Sequence, residues 1–498
     1  MKFLSKLVLA AGAIVLVGCD SDDTPSPIVP PDPSFFAQVQ AFHFAPGIQR
    51  VNINVDGAAA ITGLDFGDSG GTDLENGTYA FSIDAIADDA DPTEVVASFN
   101  RDLEEFTTYT VVAVQDAGGE LDLLELTQPR NAIPTGQFRV TLLHASGGVG
   151  AVDVYVTAPG VALDTVDPTA TLAFGEFSDA DAAADGTQPF ELTAGTYQVR
   201  ITLTGDPTVV FDSGPVDVDA GVDIIAAAVP NTSTVGTPAP VVLYVSNAFS
   251  SEMGPDVDDE AGLRVYHAAT DGGVVDIYLL EPGDDPVTDT PVVLLEDVPF
   301  EGVSPALDAV SALAADDYEV RVTVANDPNM QLIPPVPDGG EATGAALSLQ
   351  GSTVTTAIAA GTAARETLTI IAAQDDVRPV PTLVKLRVIH ASDVAQGDDG
   401  EGGIPDPEQT VDVYLVETGA GVTGDPVLSG VAFGDNSGFL QIAPGDYDVI
   451  VTANDATDPP LAGPLSVTLA AGDVITAVAI DDPDGDPPAR LEIINDTP

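Results

Sequence analysis

The sequence contains no tryptophan, three methionines, four histidines, a single cysteine and only three lysines. Without tryptophan, the residue best suited to stacking on a sugar ring is missing. One cysteine cannot form an intramolecular disulfide, so each domain is expected to stand on its apolar core alone. Basic residues are the scarcest class by function: 14 Lys and Arg face 79 Asp and Glu, a formal net charge of −65. A surface of that sign repels a phosphate backbone and excludes nucleic acid as a partner. It also repels itself at low ionic strength, a repulsion that fades as the Debye length falls to about 3 Å near 1 M salt.

What is present begins at the N-terminus. Lys2 and Lys6 precede an apolar run over residues 7–17, the layout of a secretory signal and too short to cross a bilayer as a helix, which takes about 20 residues. Leu16-Val17-Gly18-Cys19 resembles the lipobox of bacterial lipoproteins, which implies that Cys19 is acylated and becomes the mature N-terminus. Lipoproteins of that kind carry more than one acyl chain, enough for stable anchoring. Residues 20–34, with five prolines and four acids, cannot bury apolar surface and read as an extended tether reaching about 45 Å. The expected location is therefore outside the cytoplasm, lipid-anchored to a bacterial membrane and facing the periplasm or cell surface. The acid-rich, lysine-poor composition of the remainder resembles that of proteins from salt-loving or marine organisms.

A hydrophobic content of 44% with 48 glycines and 40 prolines excludes wholesale disorder and favours many short strands over helices. Internal repetition supplies the architecture. Each histidine opens a similar passage: QVQAFHFAPGIQRVNINVDG at His43, FRVTLLHASGGVGAVDVYVTAPG at His144, LRVYHAATDGGVVDIYLLEPGD at His267, and LRVIHASDVAQGDDGEGGIPDPEQTVDVYLVETGAG at His390. A second block follows in each copy, at Tyr79, Tyr197, Tyr318 and Tyr447, and a Phe-containing turn lies between the blocks at Phe66, Phe174, Phe300 and Phe433. Around the tyrosines, apolar and polar residues alternate with period two, as in strands with one buried face. The passage PLSVTL-AAGD-VITAVAI carries a closing hairpin signal, and VDVDAGVDIIAAAV repeats it.

Domains of this length with many strands predict an all-β fold: four tandem immunoglobulin-like antiparallel β-sandwich domains. The expected boundaries are a signal peptide 1–18, a Pro/Asp-rich tether 19–34, sandwiches at 35–130, 134–250, 260–378 and 384–484, and an acidic tail 485–498 in which residues 491–494 form an edge strand. Linkers are expected at 127–136, 250–262 and 378–384. The Gly-x-Tyr-x-Val pattern resembles the tyrosine corner of immunoglobulin-like sandwiches, with an ordinary half-buried tyrosine as the alternative. Together, RV-x-HAS, VDVY and G-x-Y-x-V resemble the bacterial DUF4397 family, a domain of unknown function found in exported proteins. That resemblance is clear in copies two to four and weaker in copy one, and it implies the sandwich while supplying no catalytic residue.

Chemistry is hard to find in the remainder. Each histidine shares parity with apolar strand residues and is expected to bond a nearby turn; one per domain cannot assemble a zinc site, which needs three or four converging ligands. His144-Ala145-Ser146 and His390-Ala391-Ser392 place serine two residues along the strand, parallel to the histidine instead of facing it, so no nucleophile pair forms. No metal is assigned. The candidate ion is calcium, at Asp-rich loops: Asp88, Asp89 and Asp91; 256–260; and above all Asp482, Asp484 and Asp486, which echo the start of an EF-hand without its closing glutamate. Asp153, Asp276 and Asp412 recur in the VDVY blocks and are expected on the solvent face. The sequence thus points to a non-enzymatic, lipid-anchored envelope protein, a spacer or binding stalk for an unidentified envelope protein or glycan. The alternative is an envelope enzyme or polysaccharide-processing accessory protein with a site in one repeat.

Overall fold

The computed structural model describes residues 36–86, 92–180, 187–247, 250–301, 311–336, 343–395, 410–456, 459–482 and 489–497. Among them no helix is long and apolar enough to cross a membrane. The signal peptide, Cys19 and the tether lie outside the described residues.

In the first copy the strands run in chain order β1 (Ala37–Phe44), β2 (Val51–Val55), β3 (Ala58–Leu64), β4 (Ser69–Leu74), β5 (Gly77–Ile86), β6 (Pro92–Leu103), β7 (Thr107–Asp116) and β8 (Leu121–Pro129). They pair as two sheets, β4-β1-β7-β8 and β3-β2-β5-β6. The other three copies repeat this eight-strand order, so the chain is a tandem array of β-sandwiches. Their first strands, which end on the histidines, are Gln137–His144, Ala261–His267 and Val384–His390. Within each copy the pairings are antiparallel except one: the first strand runs parallel to the seventh, as in Gln38–Phe44 beside Thr108–Val114 and Lys385–His390 beside Val474–Ala479. A further short parallel pair sets Ser146–Gly147 of the second copy beside Gln115–Asp116 of the first.

That parallel pair corrects the expected hairpin. In the fourth copy Ala462–Leu469 belongs to the sheet of the Tyr447 strand, whereas Val474–Asp481 lies beside the His390 strand in the other sheet. The AAGD turn is therefore an arch that carries the chain from one sheet to the facing one, and the second copy does the same between Val209–Val218 and Asp223–Pro230. A tight turn between two apolar strands specifies reversal, but not whether the second strand bonds the first or crosses the core. The edge strand expected at 491–494 is present and longer: Ala489–Asn495 pairs along Val474–Asp481 and completes the fourth copy's sheet, so the domain boundary moves past 484. Similarly, Ser250–Gly254, expected in a linker, extends the second copy's sheet beside Val241–Asn247.

Each copy has its own core between its sheets, the third around Val265, Ile277, Tyr318 and Val322 and the fourth around Val388, Val413, Val449 and Ala477. The chain divides into two compact units, one built on copies one and two and the other on copies three and four. Within each unit the two copies share a further apolar core. In the first it contains Phe42, Phe44, Val112, Leu143, Ile225, Val229 and Tyr244; in the second, Tyr266, Ile358, Ile389, Val478 and Ile480. These residues alternate with those of the cores within copies, so the first and seventh strands are buried on both faces. The expectation that each copy stands on its own core is thus corrected: the copies fold as pairs, packed by the outer faces of their histidine-bearing sheets. Gly67 marks how close that packing is, since a Cβ there would lie 2.7 Å from the Tyr244 ring and the backbone has φ +89°.

The two shared cores differ in their polar content. In the second unit Arg264 and Arg387, each three residues before its histidine, lie in the seam with Asp375 and Asp496. Arg387 reaches Asp375 at 2.6 Å and Asp496 at 3.8 Å, and Arg264 pairs with both acids. Thr356 donates to Asp375 at 2.7 Å and Thr476 to Asp496. Two cations and two anions, almost completely buried, thus neutralise one another across a local pseudo-twofold arrangement. In the first unit the seam is uncharged: Gln40 donates to Thr110 at 2.6 Å and Gln128 to Thr141 at 2.8 Å.

This contrast is testable by denaturant unfolding of the full chain. Arg387→Met leaves two buried carboxylates to the single cation of Arg264 and is expected to cost about 3–5 kcal/mol. Gln40→Ala in the neutral seam is expected to cost about 1–2 kcal/mol. Equal losses would show that the charged seam carries no special weight.

Candidate functional site

The residues that mark the repeat are fixed by local bonding. At the end of each first strand the histidine carbonyl accepts from the amide that follows the Phe: Gly67, Gly175, Glu301 and Gly434, at 2.7, 2.8, 2.8 and 2.8 Å. The ring then stacks edge-on against that Phe in three copies, with centroids 6.3–6.4 Å apart for His144–Phe174, His267–Phe300 and His390–Phe433. The far ring nitrogen, Nε2, meets a loop carbonyl: Gln49 at 3.1 Å from His43, Gly150 at 3.0 Å from His144 and Gly273 at 3.0 Å from His267. Burial lowers the pKa of His144 and His267, the carbonyl bonds opposing it, and burial pushes His390 down to about 4 against the pull of Asp435 and Asp393. The rings of His144 and His267 thus tie a strand end to two loops. The tyrosines behave alike: the hydroxyls of Tyr79, Tyr197, Tyr318 and Tyr447 each donate to the carbonyl four residues upstream, at 3.1, 2.7, 3.0 and 2.9 Å.

The VDVY aspartates overturn their expected placement on the solvent face. Asp276 and Asp412 are 4% and 2% exposed, while Asp153 is half-buried. Asp276 accepts from the amides of Asp297 and Asn326 at 2.9 and 2.8 Å, and Asp412 from those of Gly430 and Asp455 at 3.0 and 2.9 Å. Asp297, Asn326 and Asp455 have φ of 55°, 63° and 59°, a left-handed backbone that costs a non-glycine residue about 1–2 kcal/mol. The carboxylate offsets that cost with two charge-assisted bonds and holds the turns on both sides of its strand. Asp153 meets hydroxyls instead, Thr171 at 2.6 Å and Thr204 at 3.3 Å. Alternation along the strand misled because the second strand is flanked by turns that fold over its outer face.

The calcium candidates are not brought together. Asp88, Asp89, Asp91, Asp484 and Asp486 lie outside the described residues, and Asp482 lies 3.8 Å from Arg490. Asp256 accepts from the Asp212 amide at 2.6 Å and Asp259 bonds Ser352. Among the described residues no group of three or more His, Cys, Asp or Glu is placed to hold a metal ion.

Sequence reasoning missed two features. One is a buried polar cluster in the second unit: Ser392 donates to Asp481 at 2.5 Å, Thr362 to Asp393 at 2.9 Å, Thr367 also bonds Asp393, and Arg365 donates to the Asp393 carbonyl at 2.6 Å. Burial, reinforced by the neighbouring Asp393 carboxylate, pushes Asp481 up to about 7. Ser392 is thus engaged with a carboxylate and makes no hydrogen bond to the ring of His390, whose nitrogens have no partner among the described residues. The other feature is a cavity of about 70 Å³ between the sheets of the second copy, lined by Phe138, Leu142, Tyr197, Val216 and Leu243 with Glu252 at its rim. It is the candidate ligand site, apolar throughout apart from that carboxylate, because Tyr197 and Ser213 spend their hydroxyls on backbone carbonyls.

Two predictions follow the bonding. Asp412→Ala is expected to cost about 3 kcal/mol and Asp153→Ala about 1 kcal/mol, read as shifts in denaturant midpoint; similar losses would refute the clamp. For Asp481, a carboxyl whose folded pKa is raised stabilises fully below its unfolded pKa near 4, and that contribution is lost as pH rises to about 7. Asp481→Asn should therefore gain stability relative to the native chain between pH 5 and 8 in thermal melts. A constant difference across that window would contradict the raised pKa of Asp481.

Comparison with known proteins agrees with the repeat. The family model described as "Domain of unknown function (DUF4397)" matches residues 37–155, 261–397 and 403–498. The match includes the copy whose motifs are weakest and leaves residues 156–260 outside it, although the second copy, to which most of them belong, has the same eight-strand order. No curated protein sequence matches. Among solved structures, the Bacillus anthracis TIE protein aligns at 13% identity over 86% of this chain and 65% of its own, with a TM-score of 0.15. A product complex of the multi-modular glycogen-degrading pneumococcal virulence factor SpuA aligns at 9% identity over 57% and 36%, with a TM-score of 0.13. The chain thus spans less than two thirds of either, and neither likeness bears on its fold or function. With three matched segments covering well over half its length, and one sandwich plan repeated four times, the chain belongs to the DUF4397 family.

Proposed function

We propose that this chain is a non-enzymatic protein of the bacterial cell envelope, anchored through a lipid on Cys19 and presenting paired DUF4397 sandwiches as a spacer or binding stalk. The observation that carries the reading is how the repeat spends its polar atoms. The four tyrosines, three of the histidines, and Asp276 and Asp412, residue types a catalytic site would draw on, are committed to backbone carbonyls and amides. A chain selected to repeat such a module is selected for the module as a structure, with recognition left to loops and edges. The basic segment, the apolar run and the small residues before Cys19 support export and acylation, and the proline-rich stretch after it supports a tether. The rival enzyme reading would need converging acids, whereas Asp153, Asp276 and Asp412 belong to three different copies and hold their own turns.

The anchoring is tested by expression in a bacterial host fed an alkyne-tagged fatty acid. The native chain is expected to take the label and sediment with membranes, and Cys19→Ser to lose both properties. An unlabelled, freely soluble native chain would remove the anchor from the proposal.

A further inference from the structure

The open side of the sandwich, between the sixth and eighth strands, is closed differently in the first two copies. In the first, Arg101 stands opposite the repeated Tyr79 and pairs with Glu125 of β8. Together they leave only about 10 Å³ of space beneath them. In the second copy the residue opposite the repeated Tyr197 is Val216, and the place of Glu125 is taken by Val245. The cation and its aliphatic stem are gone, and the space beneath grows to about 70 Å³. A carboxylate returns one strand further out, because Ser250–Gly254 adds to the sheet and sets Glu252 directly across from Val245. Glu252 lines the mouth of the cavity. Burial raises its pKa, with no charged neighbour acting on it among the described residues.

We propose that this cavity binds an aliphatic amine, its short alkyl chain among Phe138, Leu142, Tyr197 and Val216 and its ammonium group on the Glu252 carboxylate. The first copy shows the same arrangement satisfied from within the chain: an apolar stem over the core and a cation held by a carboxylate at the edge. Volume and charge agree on the ligand class. An apolar space of this size exceeds what one water molecule needs and rewards a hydrocarbon chain, while the carboxylate repels fatty acids and gives a neutral chain no ionic partner. The acidic surface of the protein raises the local concentration of any cation. The site does not depend on lipid anchoring.

The test is ligand-observed NMR on the full chain at fixed ionic strength, with n-butylammonium as probe and methylammonium, n-butanol and n-butyrate for comparison. Saturable binding of n-butylammonium is expected, at least about tenfold tighter than that of methylammonium or butanol, with no binding of butyrate. Glu252→Gln should weaken n-butylammonium about tenfold, the loss of one charge-assisted contact. Val216→Arg should rebuild the closure of the first copy and abolish binding; if that variant does not fold, the Glu252→Gln comparison decides alone. Equal binding of butylammonium and methylammonium would reduce the effect to surface charge and overturn the proposal. So would an unchanged affinity in Glu252→Gln, or no binding by the native chain.

Discussion

Each first strand carries its histidine at or beside its end, between two apolar layers, and that double burial constrains the rest of the copy. Its inner residues, such as Val388, face the sandwich core, and its outer ones, such as Ile389, face the partner copy. With both faces covered, the strand end has no water to satisfy its polar groups, which must then be bonded within the protein. The histidine answers this at one residue: its amide and carbonyl hold the Phe-containing turn, as in the bonds of His390 with Asp435 and Gly434, and in three copies its ring reaches the next loop. A substitution there would leave several buried groups unpaired at once, which gives the residue a structural reason to mark every copy.

The same constraint separates what could be read in the sequence from what could not. The four passages, their order and the strand around each tyrosine were legible because one wet face leaves a period of two. Pairing of the copies was not read, although a signal existed: VITAVAI and DIIAAAV are apolar at nearly every position, as strands covered on both faces are. Read as halves of a hairpin, they lost that meaning. The aspartate clamps were hidden for another reason. Asp412 alternates with valines as any outward residue would, and only the left-handed turn at Asp455, some forty residues away, gives its carboxylate work to do. Likewise the cavity depends on which residue faces Tyr197 across a ladder, which the linear sequence does not display.

The shared cores also show two solutions to burying polar residues at one structural position. Gln40, Arg264 and Arg387 stand opposite Thr110, Thr356 and Thr476 in equivalent parallel ladders. One unit meets the requirement with neutral amides and hydroxyls; the other assembles two arginines and two aspartates that balance in charge. A balanced buried network adds little net stability over an apolar seam, yet it penalises any mismatched partner heavily. Arg264 finds its acids only where another copy supplies Asp496 and its own supplies Asp375. The charged seam is thus built jointly, each of the two copies supplying one arginine and one aspartate.

That use of arginine bears on the surface as well. Arg139, Arg200, Arg264, Arg321, Arg378, Lys385 and Arg387 are all buried, so more than half of the cations beyond the N-terminal segment are spent inside the fold. The acids are mostly outside, which makes the exposed surface still more one-sided than the composition implies. Opposing charges cannot then moderate repulsion between neighbouring acidic patches; mobile counterions must do so, and their effect grows as the Debye length shortens. A one-sided surface of this kind also sets a common preference at every open edge of the array, drawing cationic groups and turning away anionic ones before any specific contact forms. Specific recognition then needs only a shaped apolar space beside a carboxylate, which is what the second copy keeps open and the first has closed with its own arginine.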